Sequence, residues 1–249
     1  MTEPLLLELQ DLCIRTTRRP LVDGVSLEVR KGRVTALVGA SGSGKSLSAR
    51  AVMGVLDVDP GLERGTLRYP ALSERDWFEG VRGRGMRAQR RLLKETARYR
   101  GSYVTYSPQS ASSALNPGRT IGRQLEMAVA RRSEAPADPK AAIRKVLEEV
   151  GLPLRAARAL PRELSGGMAQ RAALAVAIAP NPQILIADEP ETGLDPVLRR
   201  VVTQLMVDVA QEHRVGLLLI THNMDTVERI ADDVVRIPTD VGDSESEVA

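Results

Sequence analysis

The sequence is poor in cysteine, histidine and aromatic side chains. Its 249 residues include one cysteine, Cys13, two histidines and aromatic residues to only 2%. A single cysteine excludes an intrachain disulfide and a multi-cysteine metal site. This cysteine usage is typical of a reducing compartment, and we expect the cytoplasm.

Long apolar runs and a large charge excess are also missing. No run approaches the roughly 20 apolar residues that a membrane-spanning helix needs. The first residues, Thr2, Glu3 and Pro4, lack the basic and apolar segments of a secretory signal, so we expect none. The net charge is +3, which is too small to indicate nucleic-acid binding, and we expect no nucleic-acid partner.

Charge is nevertheless unevenly distributed. Nine basic residues lie between Arg75 and Arg100, including Arg87, Arg90 and Arg91, against few acids. Either this segment is a solvated helix face, or it contacts anionic lipid or an acidic partner. The acidic residues 241–249 predict a disordered tail.

The periodicity of apolar residues alternates between strand and helix. Period-two or continuous apolar runs predict strands at Leu5–Ile14, Val22–Val29, Val34–Val38, Tyr103–Tyr106, Ile184–Ala187 and Leu217–Ile220. Helical spacing predicts helices at Ser46–Leu56, Ile121–Arg132, Pro139–Val150, Val197–Glu212 and Met224–Ile230. We therefore expect a doubly wound α/β core interrupted by a helical insertion.

A glycine-rich loop follows the buried strand Val34–Val38 and precedes a helix. It fits the pattern G-x-x-x-x-G-K-[ST], a phosphate-binding loop whose backbone N–H groups face phosphate oxygens. Its Lys is placed to bridge the β- and γ-phosphates of ATP, and its final Ser to complete a Mg²⁺ shell. The predicted nucleotide-binding residues are Gly39, Ala40, Ser41, Gly42, Ser43, Gly44, Lys45 and Ser46.

Two adjacent carboxylates end the apolar run 184–187. Asp188 is placed to hold a Mg²⁺ water, and Glu189 to polarise the attacking water. Two acids that merely cap a strand are the plainer alternative. A buried strand seldom ends in adjacent carboxylates without a cation nearby, which favours the Mg²⁺ site.

A second glycine segment, Leu164–Arg171, opens a predicted helix through Ala179. Ser165 is a good helix N-cap, and Gly166 with Gly167 exposes N–H groups that can bind an anion. An ordinary glycine turn into an alanine-rich helix remains the alternative for this segment alone.

Together these three segments resemble the ATP-binding subunit of ATP-binding cassette (ABC) transporters, over residues 5 to about 237. The resemblance implies an α/β P-loop NTPase (ABC ATPase) fold in one domain, 1–240. Its RecA-like core spans about 1–105 and 166–237, and its inserted helical subdomain about 106–165.

The resemblance also assigns roles. The signature segment, acting on ATP held by a partner, corresponds to Ser165, Gly166, Gly167, Met168 and Gln170. Asp195 belongs to the D-loop, Gln109 is the Q-loop glutamine that touches nucleotide and Mg²⁺, and His222 is the switch histidine. Glu189 and His222 are the expected catalytic residues; Ser46, Gln109 and Asp188 are the expected Mg²⁺ ligands.

The family mechanism implies ATP and Mg²⁺ as cofactors and several partners. These are a second ATPase subunit in a homo- or heterodimer, two integral-membrane permeases and an extracytoplasmic substrate-binding protein. The chain would then lie peripherally on the cytoplasmic side of the cell membrane.

Details resemble the peptide and nickel importers within the family. Ser-Gly-Gly-Met at 165–168 is similar to their signature, and 112–117 to their Ser-Ser-x-Asn-Pro loop. The segments 21–27 and 46–48 are most similar to the nickel-type member. We therefore expect ATP-driven uptake of a peptide, nickel or metal chelate.

Some positions depart from the family pattern. No aromatic residue lies near Arg15, where adenine usually stacks, so a guanidinium of Arg15, Arg18 or Arg19 is the remaining candidate. Glu191 stands where Thr or Ser is common, and Asn223 where Asp is usual. The C-terminal extension common in this group is expected to be missing.

Two other functions remain open. One is a soluble ABC-type ATPase that acts on nucleic acid or the ribosome, although such members usually carry two cassettes or a coiled-coil insertion. The other is a regulatory subunit that binds ATP without hydrolysis. The presence of Glu189 and His222 argues against that silenced site.

Overall fold

The computed structural model describes residues 3–109 and 114–237. Its strands are β1 Leu5–Thr16, β2 Pro20–Arg30, β3 Val34–Val38, β4 Pro60–Arg68, β5 Val104–Ser107, β6 Ile184–Asp188, β7 Gly216–Thr221 and β8 Asp233–Arg236. Its helices are α1 Lys45–Val52, α2 Gly85–Glu95, α3 Ile121–Val129, α4 Pro139–Glu149, α5 Gly166–Ile178, α6 Pro196–Glu212 and α7 Met224–Ile230. Short 3₁₀ turns at Leu154–Arg158 and Pro161–Glu163 join α4 to α5.

A five-stranded parallel sheet in the order β5-β6-β7-β3-β8 forms the centre of the fold. Every residue of β3, β6 and β7 is buried. Strands covered on both faces read as continuous apolar runs, which is why the sequence predicts these three well.

Alternating residues of the central strands supply two cores. Ile184 and Ile186 of β6 pack into one cluster, which includes α1, α2 and the N-terminal strands. Leu185 and Ala187 pack on the opposite face, against α3, α4, α5 and α6. Helices therefore cover both faces, which confirms the α/β fold expected from the sequence.

A second sheet, antiparallel and in the order β2-β1-β4, was not anticipated as a separate layer. The sequence predicts β1 and β2 as half-buried strands but gives no pairing partner. The sequence does not reveal β4, because Pro60, Gly61 and Gly65 interrupt the apolar pattern of that strand. In the structure, the register between β4 and β1 shifts near Cys13. The sequence also misses β8, whose residues are mostly exposed at the sheet edge.

Helix boundaries agree with the periodicity to within a few residues. The main difference is α1, predicted to reach Leu56 but ending at Val52. Gly54 has φ of +71°, and the amides of Met53 and Gly54 close a tight turn onto Arg50 and Ala51. The left-handed glycine ends the helix.

The six aromatic residues lie in the hydrophobic core or pack against it. Tyr69 lies edge-on to Trp77 and Tyr103, with ring centroids 6.2 and 5.8 Å apart, and Trp77 lies 5.5 Å from Tyr99. Burial raises the pKa of Tyr103 to about 12. These rings join the antiparallel sheet to β5 and are not available to stack on a nucleotide base.

The basic segment 75–100 forms α2 and its flanks. Several of its arginines have internal partners: Arg82 donates to Asp76, Arg91 to the carbonyl of Gly80, and Arg75 to Glu95. Exposed basic side chains remain on α2 at Arg87, Arg90 and Lys94. Contact with lipid or an acidic partner therefore stays a prediction, restricted to this exposed face.

The described residues between β5 and α5 form helices and turns, with α3 capped by Thr120 and α4 by Asp138. β5 extends to Ser107, close to the boundary expected at about 106. The status of the helical insertion as a separate subdomain stays a proposal. The predicted loop residues Ser112 and Ser113 and the tail 241–249 lie outside the described residues.

Within the described ranges, we find no helix with the length and apolar character needed to cross a membrane.

Removing core volume from the central sheet should destabilise the protein strongly. Ile186 is 0% exposed, so Ile186→Ala leaves a cavity in the core cluster that β6 shares with α1 and the antiparallel sheet. We expect a loss of about 2–5 kcal/mol in the free energy of unfolding, measured by urea denaturation. Val197→Ala, at a side chain that is 74% exposed, should change it by less than about 0.5 kcal/mol. Equal effects would contradict this placement of the core.

Candidate nucleotide site

The functional residues lie at one edge of the parallel sheet. Gln109 follows β5, Asp188 ends β6, His222 follows β7 and the glycine loop follows β3. These four strands are neighbours and point the same way. Ligands of parallel α/β sheets bind at the carboxyl ends of the strands, where these segments meet.

A cleft of about 370 Å³ opens at this edge. Its wall consists of Leu21, Ser41, Gly42, Gly44, Lys45, Ser46, Leu47, Gln109, Asp188 and Glu189. Predicted nucleotide and metal residues from three separate segments thus share one cavity.

The glycine loop needs glycine for its shape. Gly42 and Gly44 have φ of +80° and +91°, a region that L side chains rarely adopt. A Cβ on Gly44 would also lie 2.6 Å from the carbonyl oxygen of Leu21. The first glycine, Gly39, is crowded too, because its Cβ would lie 2.7 Å from Ser43 Oγ.

Lys45 begins α1, with its side chain folded back over the loop. Its Nζ donates to the carbonyls of Gly39 and Ala40 at 2.8 and 2.7 Å, and the residue is 5% exposed. These carbonyls hold the ammonium group above the loop, beside the N-terminus of a helix. The arrangement places a fixed positive charge where a polyphosphate would bind.

Asp188 is buried at the end of β6, and its two oxygens differ. Oδ2 accepts a 2.7 Å hydrogen bond from Tyr106, while Oδ1 is buried without a partner among the described residues. Burial, then this hydrogen bond, raises the pKa of Tyr106, so the phenol stays a donor. An orphaned carboxylate oxygen beside Ser46 is suited to a cation.

The oxygen-only chemistry fits Mg²⁺. Among residues 3–109 and 114–237, no group of three or more His, Cys, Asp or Glu side chains is arranged so that it could hold a metal ion by itself. Mg²⁺ usually keeps several waters and binds through one or two carboxylates and substrate phosphates rather than a protein cage. Ser46, Gln109 and Asp188 provide such a partial set.

Glu189 lies at the centre of a polar network. It adopts φ of +44°, an uncommon conformation outside glycine. Its Oε1 is 3.2 Å from Nδ1 of His222, and its Oε2 accepts from Gln109 Nε2 and Thr192 Oγ1, each at 3.2 Å. The two residues predicted to be catalytic are therefore in contact, and Gln109 touches one of them.

The predicted signature segment lies away from this cleft. Ser165 caps α5 by accepting from the amide of Met168, and it is exposed together with Gly166. None of the described residues 165–170 lines the cleft. A Cβ on Gly167 would lie 3.1 Å from Leu198 of α6, so Gly167 permits close packing there.

The side chain of Gln170 points into its own chain. Gln170 is 5% exposed, and its Nε2 donates to the carbonyl of Pro190 at 2.6 Å. It therefore supports the loop that follows Glu189, and its role in trans stays a prediction.

The D-loop residue Asp195 is exposed and caps α6. Its Oδ1 accepts from the amides of Val197 and Leu198 at 3.0 and 2.9 Å. This cap fixes where the loop from Glu189 ends and the helix begins.

Arginines replace aromatic rings in the β1–β2 hairpin, as the sequence indicates. Arg15 is half exposed and 3.6 Å from Glu63, whereas Arg18 and Arg19 are exposed at the turn. Their contact with a base stays a prediction.

Sequence reasoning missed the residues that support the site. Tyr106 donates a hydrogen bond to Asp188, and Thr192 donates one to Glu189. The carboxyl side chain of Glu191 is buried. A carboxylate two residues after Glu189 was the available signal for Glu191. No pattern in the sequence marks the contact of Tyr106, since it joins neighbouring strands.

Comparison with known proteins identifies the family. A family model described as ABC transporter matches residues 22–192. The chain belongs to the ABC transporter family. It corresponds to the family's ATP-binding domain.

Curated relatives carry names of transport proteins. The nickel import ATP-binding protein NikD of Rhodospirillum rubrum is 40% identical over 220 residues, covering 86% of this chain and 75% of that protein. The dipeptide transport ATP-binding protein DppD of Escherichia coli is 35% identical over 217 residues, with 86% and 62% covered. The oligopeptide transport ATP-binding protein OppD of Lactococcus lactis is 36% identical over 213 residues, with 84% and 59% covered. The chain spans less than two thirds of the length of the dipeptide and oligopeptide transport proteins.

Solved structures have the same fold. cbiO1 from Clostridium perfringens superposes with a TM-score of 0.74 at 21% identity, over 94% of this ABC transporter chain and 85% of that one. The bacterial ABC transporter cassette MJ0796 gives 0.71 at 20% identity, over 93% and 94%.

Adding one methyl group to the loop tests its geometry. In Gly44→Ala the new Cβ would clash with the carbonyl oxygen of Leu21. An alanine at this positive φ also raises the free energy of the native loop conformation by about 1–3 kcal/mol. We expect the affinity for a fluorescent ATP analogue to fall about tenfold or more, measured by equilibrium titration. Gly118→Ala is the matched control, because its Cβ would meet only Asn116 at 3.5 Å. Unchanged affinity in Gly44→Ala would refute the loop assignment.

Proposed function

We propose that this chain is the ATP-binding and ATP-hydrolysing subunit of an importer that takes up a peptide, nickel or metal chelate. The observation that carries the proposal is the contact of His222 with Glu189, which lines the phosphate-loop cleft. A binding-only subunit needs no such pair, and a silenced site would have lost one of its members.

The residues divide the reaction between them. Lys45 and the amides of the glycine loop bind the β- and γ-phosphates and draw charge from the bond that breaks. Glu189 accepts a hydrogen bond from the attacking water and orients it in line with the γ-phosphorus. His222 Nδ1 contacts Glu189 and fixes the carboxylate, and its other ring nitrogen is left to contact the γ-phosphate.

Mg²⁺ belongs to the proposed site. Asp188 would hold it through its unpartnered Oδ1, with Ser46 and Gln109 as further ligands. The ion would neutralise developing charge on the β- and γ-phosphate oxygens. Tyr106 keeps the Asp188 carboxylate in one orientation for that purpose.

A partner ATPase completes the site in this proposal. The cleft in this chain has no signature residue in its wall, whereas Ser165 and Gly166 lie exposed at the start of α5. The N–H groups there are a second phosphate contact. In a head-to-tail dimer, homo- or heteromeric, each signature faces the ATP held by the other subunit, and γ-phosphate closes the dimer.

The permease partners have a suitable surface near Gln109. A groove of about 370 Å³ lies between β5, α3 and α5, and its lining is mostly apolar. Met127 is 44% exposed at this groove. A permease helix seated there would contact the strand that leads into Gln109, coupling the nucleotide to two membrane subunits at the cytoplasmic face.

The substrate class rests on the relatives. Relatives 35–40% identical to this chain are named for nickel, dipeptide and oligopeptide transport. Specificity would reside in the permeases and an extracytoplasmic binding protein, because a fold by itself does not assign a substrate.

Replacing Glu189 by glutamine tests the catalytic role. Glu189→Gln keeps the shape and the contact with His222 but weakens the acceptor for water. We expect ATP turnover of the assembled transporter to fall about 10²–10⁴-fold. ATP binding should persist, and an ATP-dependent dimer should accumulate in size-exclusion chromatography.

The exposed Glu212→Gln is the control and should turn over normally. Undiminished turnover in Glu189→Gln would remove Glu189 from the reaction. Copurification of the complex with nucleic acid or ribosomes instead of membrane subunits would favour the soluble ATPase.

A further inference from the structure

A buried carboxylate joins the two segments that carry the catalytic pair. Glu191 follows Glu189 by two residues and is 3% exposed. A buried ionised carboxylate is costly unless donors surround it. Its surroundings therefore indicate what it holds in place.

The donors come from both sides of His222. Thr221 Oγ1 donates to Glu191 Oε1 at 2.5 Å. Oε2 accepts from Asn223 Nδ2 at 3.3 Å and from Thr226 Oγ1 at 3.0 Å. Three hydrogen bonds thus attach the segment 221–226, which contains His222 and is called the switch segment below, to Glu191.

The hydroxyl and amide orientations are fixed by their other bonds. Thr221 Oγ1 accepts from the amide of Asn223, which leaves its proton for Glu191. Asn223 Oδ1 accepts from the amide of Thr226, which caps α7 and leaves its NH₂ for Glu191. Asparagine is needed here because it offers an acceptor and a donor, whereas aspartate offers no donor.

One positive charge faces the carboxylate. Arg199 Nε of α6 is 3.9 Å from Glu191 Oε2. The pocket beside Asn223 is also lined by Arg200 of α6 and by Asp225 and Arg229 of α7. Glu191 therefore connects α6 to the switch segment and to the loop that begins at Glu189.

We propose that Glu191 is a positioning residue that holds His222 against Glu189. The inference rests on the proposed ATP hydrolysis and adds to it a residue that touches neither ATP nor water. Glu191 does not line the nucleotide cleft, so its loss should change the turnover number and not the affinity for ATP. The carboxylate at 191 and the amide at 223 act as one matched pair.

The test exchanges charge between the two positions in the full chain with its partner subunits. Glu191→Gln removes the anion, and Asn223→Asp places a second carboxylate 3.3 Å from the first. Each should lower kcat by about tenfold or more, with little change in KM for ATP. The double variant Glu191→Gln, Asn223→Asp restores one carboxylate facing one amide, and we expect it to recover most of kcat.

The second readout does not depend on activity. The chain has two histidines, so the ring signals of His222 and His213 are readily separated by nuclear magnetic resonance. His213 also faces a buried carboxylate, Glu149, at 3.1 Å. Glu191→Gln should shift the ring signals of His222 and leave those of His213 unchanged, and the matched control Glu149→Gln should do the reverse.

The outcomes are distinct. Unchanged kcat in Glu191→Gln, or a double variant no better than Asn223→Asp, would overturn the positioning role. A lower melting temperature with normal kcat and an unmoved His222 signal would also overturn it, because Glu191 would then be structural only. A wild-type complex without ATPase activity would reject the proposed function, while the His222 signal still decides the inference.

Discussion

Parallel pairing of the central strands is the constraint on which the site depends. Because β5, β6, β7 and β3 are neighbours and share one direction, the residues that follow them meet at one edge. Gln109, Asp188, His222 and the glycine loop are far apart in the chain and adjacent there. Strands β3, β6 and β7 are buried on both faces, so the side chains that follow them start from a rigid base.

Polar contacts then set the positions of the groups predicted to be catalytic. Glu189 takes an uncommon left-handed conformation, and three side chains bond its carboxylate. Gln170 holds the carbonyl of the next residue, and Glu191 bonds the switch segment on both sides of His222. A strained residue held from several directions is typical of a functional site. Gln170 of α5 and Arg199 of α6 both contact this loop.

Position 191 and position 223 illustrate how a departure from a family pattern can be compensated. In the sequence, Glu191 and Asn223 are two separate deviations, and neither suggests the other. In the fold, Asn223 Nδ2 lies 3.3 Å from Glu191 Oε2. The carboxylate at 191 therefore accepts the hydrogen bond that the amide at 223 donates. Position 170 shows the converse. Its place in the signature segment predicts a partner contact, but helix α5 turns the side chain inward.

The sequence by itself determined the family and the fold class, and it predicted most of the residues that the fold brings together at one edge of the sheet. The glycine loop, the Asp188–Glu189 pair and His222 are local patterns, and continuous apolar runs mark β3, β6 and β7, so residue order was enough. Only the tertiary structure decided the antiparallel layer, the inward placement of Gln170 and the network around Glu191. Those depend on which distant segments pair and on which face of a helix is covered, and both are set by packing across the whole chain.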